Sequence, residues 1–221
     1  MKYLIIILLS VFSFGGTTTD RYKGSFGILG SVGEIVNNVT KKKSSYTISS
    51  VVKPKGLAKM LLGNRIEVRV SKGKIVNGIY FPKSYTVTKK RKGIVRVKKS
   101  YIFKGNSITK TYIKHDKHGK LTKKEVTKLP FKAHNDLLTL YYNLHTYKHN
   151  QKIYSAGLES QNGYATIKRI APYKMKARFS QESFKNGKGD IQFELAKNGK
   201  IAKALLKDVL LGGDAKLELI K

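Results

Sequence analysis

Five histidines, thirteen carboxylates and no cysteine are the stock from which this 221-residue chain can build a metal site or a carboxylate–histidine acid–base centre. His145 and His149 are four residues apart, so on a continuous helix both rings share one face. Such a pair binds zinc when a third ligand is near, here His134 or Asp136. The glutamate that converts a histidine pair into a zinc hydrolase is missing, because Thr146 follows His145. Two surface histidines near a helix C-terminus, where positive charge is favoured, are the simpler reading. His115 and His118 flank Asp116 in "KHDKHG", which reads as a turn. "GSFGILGSVG" (24–33) has the glycine density of a nucleotide loop but leads into more strand and not into a helix, so bulges are expected there. There is no Gly-x-Ser-x-Gly elbow, and without cysteine no thiol nucleophile. Glu159 and Glu182 sit on separate predicted strands and are read as cross-strand partners of lysines rather than an acid–base pair. The expectation is no catalytic residue, no metal and no cofactor.

Charge is the stronger signal. Lysine and arginine total 45 against 13 acids, a formal net charge of +32. A surface of that charge attracts polyanions and anionic lipid. The basic clusters are Lys41, Lys42 and Lys43, then Lys89, Lys90, Arg91 and Lys92, then Lys98-Lys99 and Lys123-Lys124. If several turns gather at one end of a sheet, these clusters form a cationic rim. Tyr85, Tyr101 and Tyr112 interleave with them, a mixture suited to anionic glycans, phosphates or an interfacial lipid layer. Against this background "NDLLTLYYNL" (135–144) stands out as an apolar decamer with a single charge.

The elements that must carry these residues are mostly strands. "NRIEVRV", "YKMKARF" and "DIQFELA" alternate apolar and polar residues with period two. The pattern predicts one-sided antiparallel strands, with Ile66, Val68 and Val70 inward and Glu67 and Arg69 outward. Further strands are predicted at 21–28, 32–40, 45–52, 74–81, 84–90, 94–104, 107–114, 121–128, 153–158, 164–171, 201–208 and 215–220. Asn-Gly at 77–78, 162–163, 186–187 and 198–199 favours tight hairpin turns. Glycines 73, 93, 105 and 119 and prolines 54, 82, 130 and 172 are placed at breaks. Short strands joined by hairpins predict a mainly β fold: a strongly curved antiparallel up-and-down sheet, or an incomplete barrel, with one or two short helices. The helices are "GLAKMLLGN" (56–64) and one over 135–149. In the second, Asn135 caps, Asp136 lies in the first turn, and Leu137, Leu140, Tyr141 and Leu144 share one face.

Met1-Lys2 followed by "YLIIILLSVFSF" has the form of a secretory signal peptide, with processing expected near residue 16 and a single β-rich domain over 17–221. Periplasmic localisation follows. The absence of cysteine excludes a lipoprotein anchor and disulfides. No later segment is long and apolar enough for a membrane span.

Four segments together resemble a family of exported bacterial proteins catalogued as domain of unknown function 3108. They are "RYKGSFGILGSVGE", "SKGKIVNGIYFPKSY", "NDLLTLYYNL" and the closing "ELAKNGKIAKALLKDVLLGGDAKLELIK". The resemblance implies a periplasmic protein with a curved antiparallel sheet and brings no catalytic residue with it. The lysine excess is not part of the family's pattern.

The leading expectation is a non-enzymatic envelope protein. It would hold an apolar or amphipathic ligand against Leu137, Leu140, Tyr141 and Leu144 and dock to anionic envelope surfaces through its lysines. The alternative is a scaffold module that meets a protein partner and has no ligand cavity. An envelope hydrolase is the third and weakest reading, and nucleic acid is not an expected partner.

Overall fold

The computed structural model describes residues 16–27, 30–56, 59, 64–159, 162–180, 188–209 and 213–220. The signal segment and the Asn186-Gly187 turn therefore lie outside the described residues, as does most of the 56–64 helix. The fold is mainly β, a single 15-stranded sheet that does not close. Eight strands form a meander: β1 (Thr17–Phe26), β2 (Ser31–Lys42), β3 (Ser45–Pro54), β4 (Arg65–Val76), β5 (Ile79–Arg91), β6 (Ile94–Lys104), β7 (Ser107–His115) and β8 (Leu121–Lys128). The chain then crosses over through β9 (Asn135–Asp136), α1 (Leu137–Tyr142) and a 3₁₀ turn (Leu144–Thr146). It returns as β10 (Gln151–Ala156), β11 (Tyr164–Ala171), β12 (Lys174–Ser180), β13 (Lys188–Leu195), β14 (Ile201–Val209) and β15 (Gly213–Ile220). β15 pairs with β1, which places the start of the first meander at the centre of the sheet. Among the described residues only the β9–β10 pairing is parallel.

The sheet curls until its β9 edge contacts β5, and α1 lies between the two halves. Leu138 packs into a cluster with Val39, Tyr46, Ile48, Tyr85 and Tyr101. Leu140 and Leu144 pack into a second cluster with Ile167, Met175, Phe193 and Ile201, and Leu137 touches both. The helix wedges into one end of the concave side, with its apolar residues shared between the two clusters.

Several expectations are corrected. Asn77-Gly78 is a hairpin turn, so 74–81 is not one strand: residues 65–76 are continuous, as are 79–91. Gly73 lies inside β4 at a bulge, where a Cβ would come 2.0 Å from the Phe81 carbonyl oxygen. Pro82 sits inside β5, paired with Gly73 at that bulge, and not at a break. The 135–149 helix is shorter than predicted. Asn135 and Asp136 are strand, and the N-cap is Asp136. Its carboxylate accepts from Leu138 N (2.8 Å) and Thr139 N (2.9 Å), and the Thr139 hydroxyl accepts from Asp136 N.

Asn143 ends α1 because its side chain is recruited across the interior. Its Oδ1 accepts from Tyr80 N (3.0 Å), and its Nδ2 donates to Tyr80 O (2.9 Å) and Asn135 Oδ1 (3.0 Å). Asn143→Ala removes these bonds from a buried site, and a loss of about 2 kcal/mol in denaturant unfolding is the expected result.

Candidate functional site

Strand register decides which side chains reach the concave side, because residues directly opposite in an antiparallel pair share a face. Ser71 is on that face, since it meets the capping carboxylate of α1 through a 2.5 Å hydrogen bond to Asp136 Oδ2. Glu67 and Arg69, four and two residues earlier on β4, are therefore inward as well, the reverse of the orientation predicted for "NRIEVRV". Following the pairing across the first meander gives an inward polar row: Asp20, Asn37, Ser50, Arg69, then Val87, Lys99, Tyr112 and Glu125. The Asp20, Asn37 and Ser50 members are buried. This belt divides the concave side. Toward the helix end, marked by the turns at 43–44, 77–78 and 105–106, lie the tyrosines and α1. Toward the other end lies open space.

That space is a cavity of about 610 Å³. Its apolar wall comes from Ile35, Val52, Pro54, Val97 and Leu217, on β2, β3, β6 and β15. Glycines thin the wall where β1 and β2 meet: Gly24 and Gly33 are opposite each other in register. Seven cations stand around it, Lys53, Arg65, Lys89, Lys90, Arg91, Arg96 and Lys114, against two carboxylates, Glu34 and Glu67. Both acids are already engaged. Glu34 pairs with Lys55 (2.6 Å) and Arg21 (3.4 Å). Glu67 pairs with Arg69 (2.5 Å) and Lys89 (3.4 Å). Burial pushes the Glu67 carboxyl up, but Arg69 and Lys89 outweigh it and hold the group below the usual carboxylate range. Deeper in, burial and then the neighbouring Lys110 push the Lys99 ammonium down.

Arg65 and Arg91 are directly opposite in register at the cavity's end, and no carboxylate among the described residues lies within ion-pair distance of either. Like charges in facing positions are unfavourable. The pair is suited to an anion that bridges both guanidinium groups.

Of the residues singled out from the sequence, Lys89, Lys90 and Arg91 border this cavity, and Lys92 occupies the adjoining turn. Lys41, Lys42 and Lys43 are at the opposite, helix end, so the two clusters do not make one rim; Lys41 lies over the Tyr80 ring. Tyr85 and Tyr101 do not accompany surface lysines: both are fully buried and stacked on each other. Leu140 and Leu144 are buried in the chain's own core, Leu137 is shared between the two clusters, and Tyr141 borders a second cavity at the helix end. None of these four lines the large cavity. Arg65, Arg96, Ile35, Val52 and Leu217 were not singled out, because nothing local distinguishes them; only the register brings them together.

His145 and His149 do not share a helix, since α1 ends at Tyr142; His145 Nδ1 lies 3.0 Å from Tyr142 O. Asp116 accepts from His118 N and Lys120 N, the predicted turn. Glu182 lies outside the described residues. Among the described residues no group of three or more His, Asp or Glu side chains is placed to hold a metal ion, and no helix is long and apolar enough to cross a membrane.

Comparison with protein-family models, curated proteins and solved structures returns no match.

Proposed function

We propose that this protein is an exported, non-enzymatic binding protein that seats an anionic amphiphile at the open end of its curved sheet. The apolar body of the ligand lies against Ile35, Val52, Pro54, Val97 and Leu217, and its acidic head bridges Arg65 and Arg91. The observation that carries this reading is the facing arginine pair without a carboxylate at the border of an apolar cavity. Export to the periplasm rests on the opening segment, and kinship with the domain of unknown function 3108 family rests on the four sequence segments. The surplus lysines fit contact with anionic envelope surfaces, weakening as salt is raised.

Titration of the purified chain with myristate and with tetradecyltrimethylammonium tests the ligand class. Saturable one-to-one binding of myristate, weakened by added salt, is expected, with little binding of the cationic chain. Equal binding of both, or of neither, defeats the proposal.

A second reading, a scaffold without ligand, draws on β8. It is one of the two edge strands of the sheet, every residue of it is exposed, and one side of its backbone is unpaired within the sheet. A stoichiometric protein recovered by cross-linking at β8, from a chain that binds no amphiphile, would favour it.

A further inference from the structure

At the helix end, beyond the polar belt, a smaller cavity of about 230 Å³ opens between β1, β2, the β4–β5 turn, α1 and the β13–β14 turn. Tyr22, Tyr80, Tyr141 and Tyr142 wall it, and Lys41 and Lys200 border it. The hydroxyls of Tyr22, Tyr141 and Tyr142 are buried without a well-formed hydrogen bond; their mutual contacts, Tyr22 with Tyr141 and Tyr142 with Asn37, fall short of full hydrogen-bond geometry. Asp20 Oδ2 and Asn37 Oδ1 are buried in the same way and belong to residues opposite each other on β1 and β2. Tyr22, Asp20 and Asn37 are only 1%, 5% and 4% exposed. Burial, with the Asp20 charge adding to it, raises all three phenols, so each keeps a hydrogen to donate.

Buried polar atoms are normally paired, and three phenols on the cavity wall with Asp20 and Asn37 behind them call for a partner that both donates and accepts. Charge excludes the ionic choices. A cation meets Lys41 and Lys200; an anion meets Asp20, whose other oxygen is held by Lys200 Nζ at 2.7 Å. An apolar group leaves every hydroxyl unpaired. The space equals roughly eight water molecules at about 30 Å³ each, enough for one six-membered sugar ring and too little for a chain of them. Aromatic walls supply flat apolar surface for the C–H side of such a ring.

We propose that this tyrosine-walled cavity binds a neutral sugar ring. Phenol hydroxyls would exchange hydrogen bonds with the sugar hydroxyls, with Asp20 and Asn37 supporting them from behind the tyrosine wall. The site shares no lining residue with the amphiphile cavity and stands or falls separately from it.

The test is a titration of the full chain with glucose and with N-acetylglucosamine, followed by NMR of the tyrosine rings, with glycerol as control. Saturable shifts of Tyr22, Tyr141 and Tyr142 in the millimolar range are expected with a sugar, and none that saturate with glycerol. The paired variant Tyr141→Phe, Tyr142→Phe keeps the rings and removes two hydroxyls that hold no well-formed hydrogen bond, so it should fold normally and bind the sugar at least roughly tenfold more weakly. Asn37→Ala serves as an independent second variant with the same expected loss. Arg91→Glu, at the other end of the sheet, should leave sugar binding unchanged. Absence of saturable shifts with either sugar, equal shifts with glycerol, or undiminished binding in both variants overturns the proposal.

Discussion

Asp136→Ala is expected to lower stability by about 3 kcal/mol, because three buried donors lose their acceptor at once. Leu138 N, Thr139 N and the Ser71 hydroxyl all donate to this carboxylate, and Tyr46 is hydrogen-bonded to Ser71 behind it. Three orphaned donors in a dry interior cost roughly 3–9 kcal/mol, offset in part by the release of a buried charge. That charge has its own signature. Burial raises the Asp136 carboxyl to about 6, against an ordinary value of 3.8, although Ser71, Thr139 and Leu138 pull it back. The folded chain therefore holds this proton more tightly than the unfolded chain does. The stabilisation it gives is complete below about pH 4 and is lost as pH rises through about 6, a change of about 3 kcal/mol. Asp136→Asn keeps a capping oxygen and does not titrate. Unfolding of the two proteins by urea between pH 4 and pH 7 should show wild type losing stability relative to Asp136→Asn across that window. A constant difference would mean that the carboxyl titrates near its ordinary value.

Arg91→Glu is expected to have opposite effects on binding and on stability. In the free protein it turns a facing arginine pair into a facing opposite-charge pair with Arg65, so unfolding should become harder by about 0.5 kcal/mol. Binding of myristate should weaken roughly 50-fold, equivalent to about 2 kcal/mol, because the bridging cation is replaced by a repelling carboxylate. Arg65→Glu should behave the same way. A gain in stability together with a loss of affinity cannot arise from misfolding, so calorimetric melting and the amphiphile titration separate the two causes. If affinity is unchanged while stability rises, the head group does not sit between these arginines. Ile35→Glu gives a complementary check, since a carboxylate on the apolar wall should repel the acidic ligand without touching the arginine pair.

Strand identity was highly legible. Leu121–Lys128 and Tyr164–Ala171 match the predicted bounds, and the Asn-Gly turns at 77–78, 162–163 and 198–199 fall between strands or just before one. Alternation also gave the correct inner face on β12 and β13, where Met175, Ala177, Phe179 and Phe193 are buried. It failed on β4. There Ile66, Val68 and Val70 suggested an inner face that belongs to Glu67, Arg69 and Ser71. A period of two marks two faces but not which one is concave; one residue of register exchanges them. The capping position was displaced by one residue for a similar reason. Asn135 and Asp136 are both competent caps, and the choice fell to Asp136 because Ser71, from a distant strand, holds its second oxygen.

The amino-acid sequence by itself determined that the chain is built of one-sided strands joined by hairpins, with an apolar helical segment past its middle, and carries a large positive charge. Those properties reside in neighbours a few residues apart. Only the tertiary structure decided that the helix is a wedge rather than a ligand face, that the two foremost lysine clusters lie at opposite ends, and that Arg65 meets Arg91. These outcomes depend on which strands pair and in what register. Pairing is fixed by packing summed over the whole curled sheet, so no local stretch of residues records it.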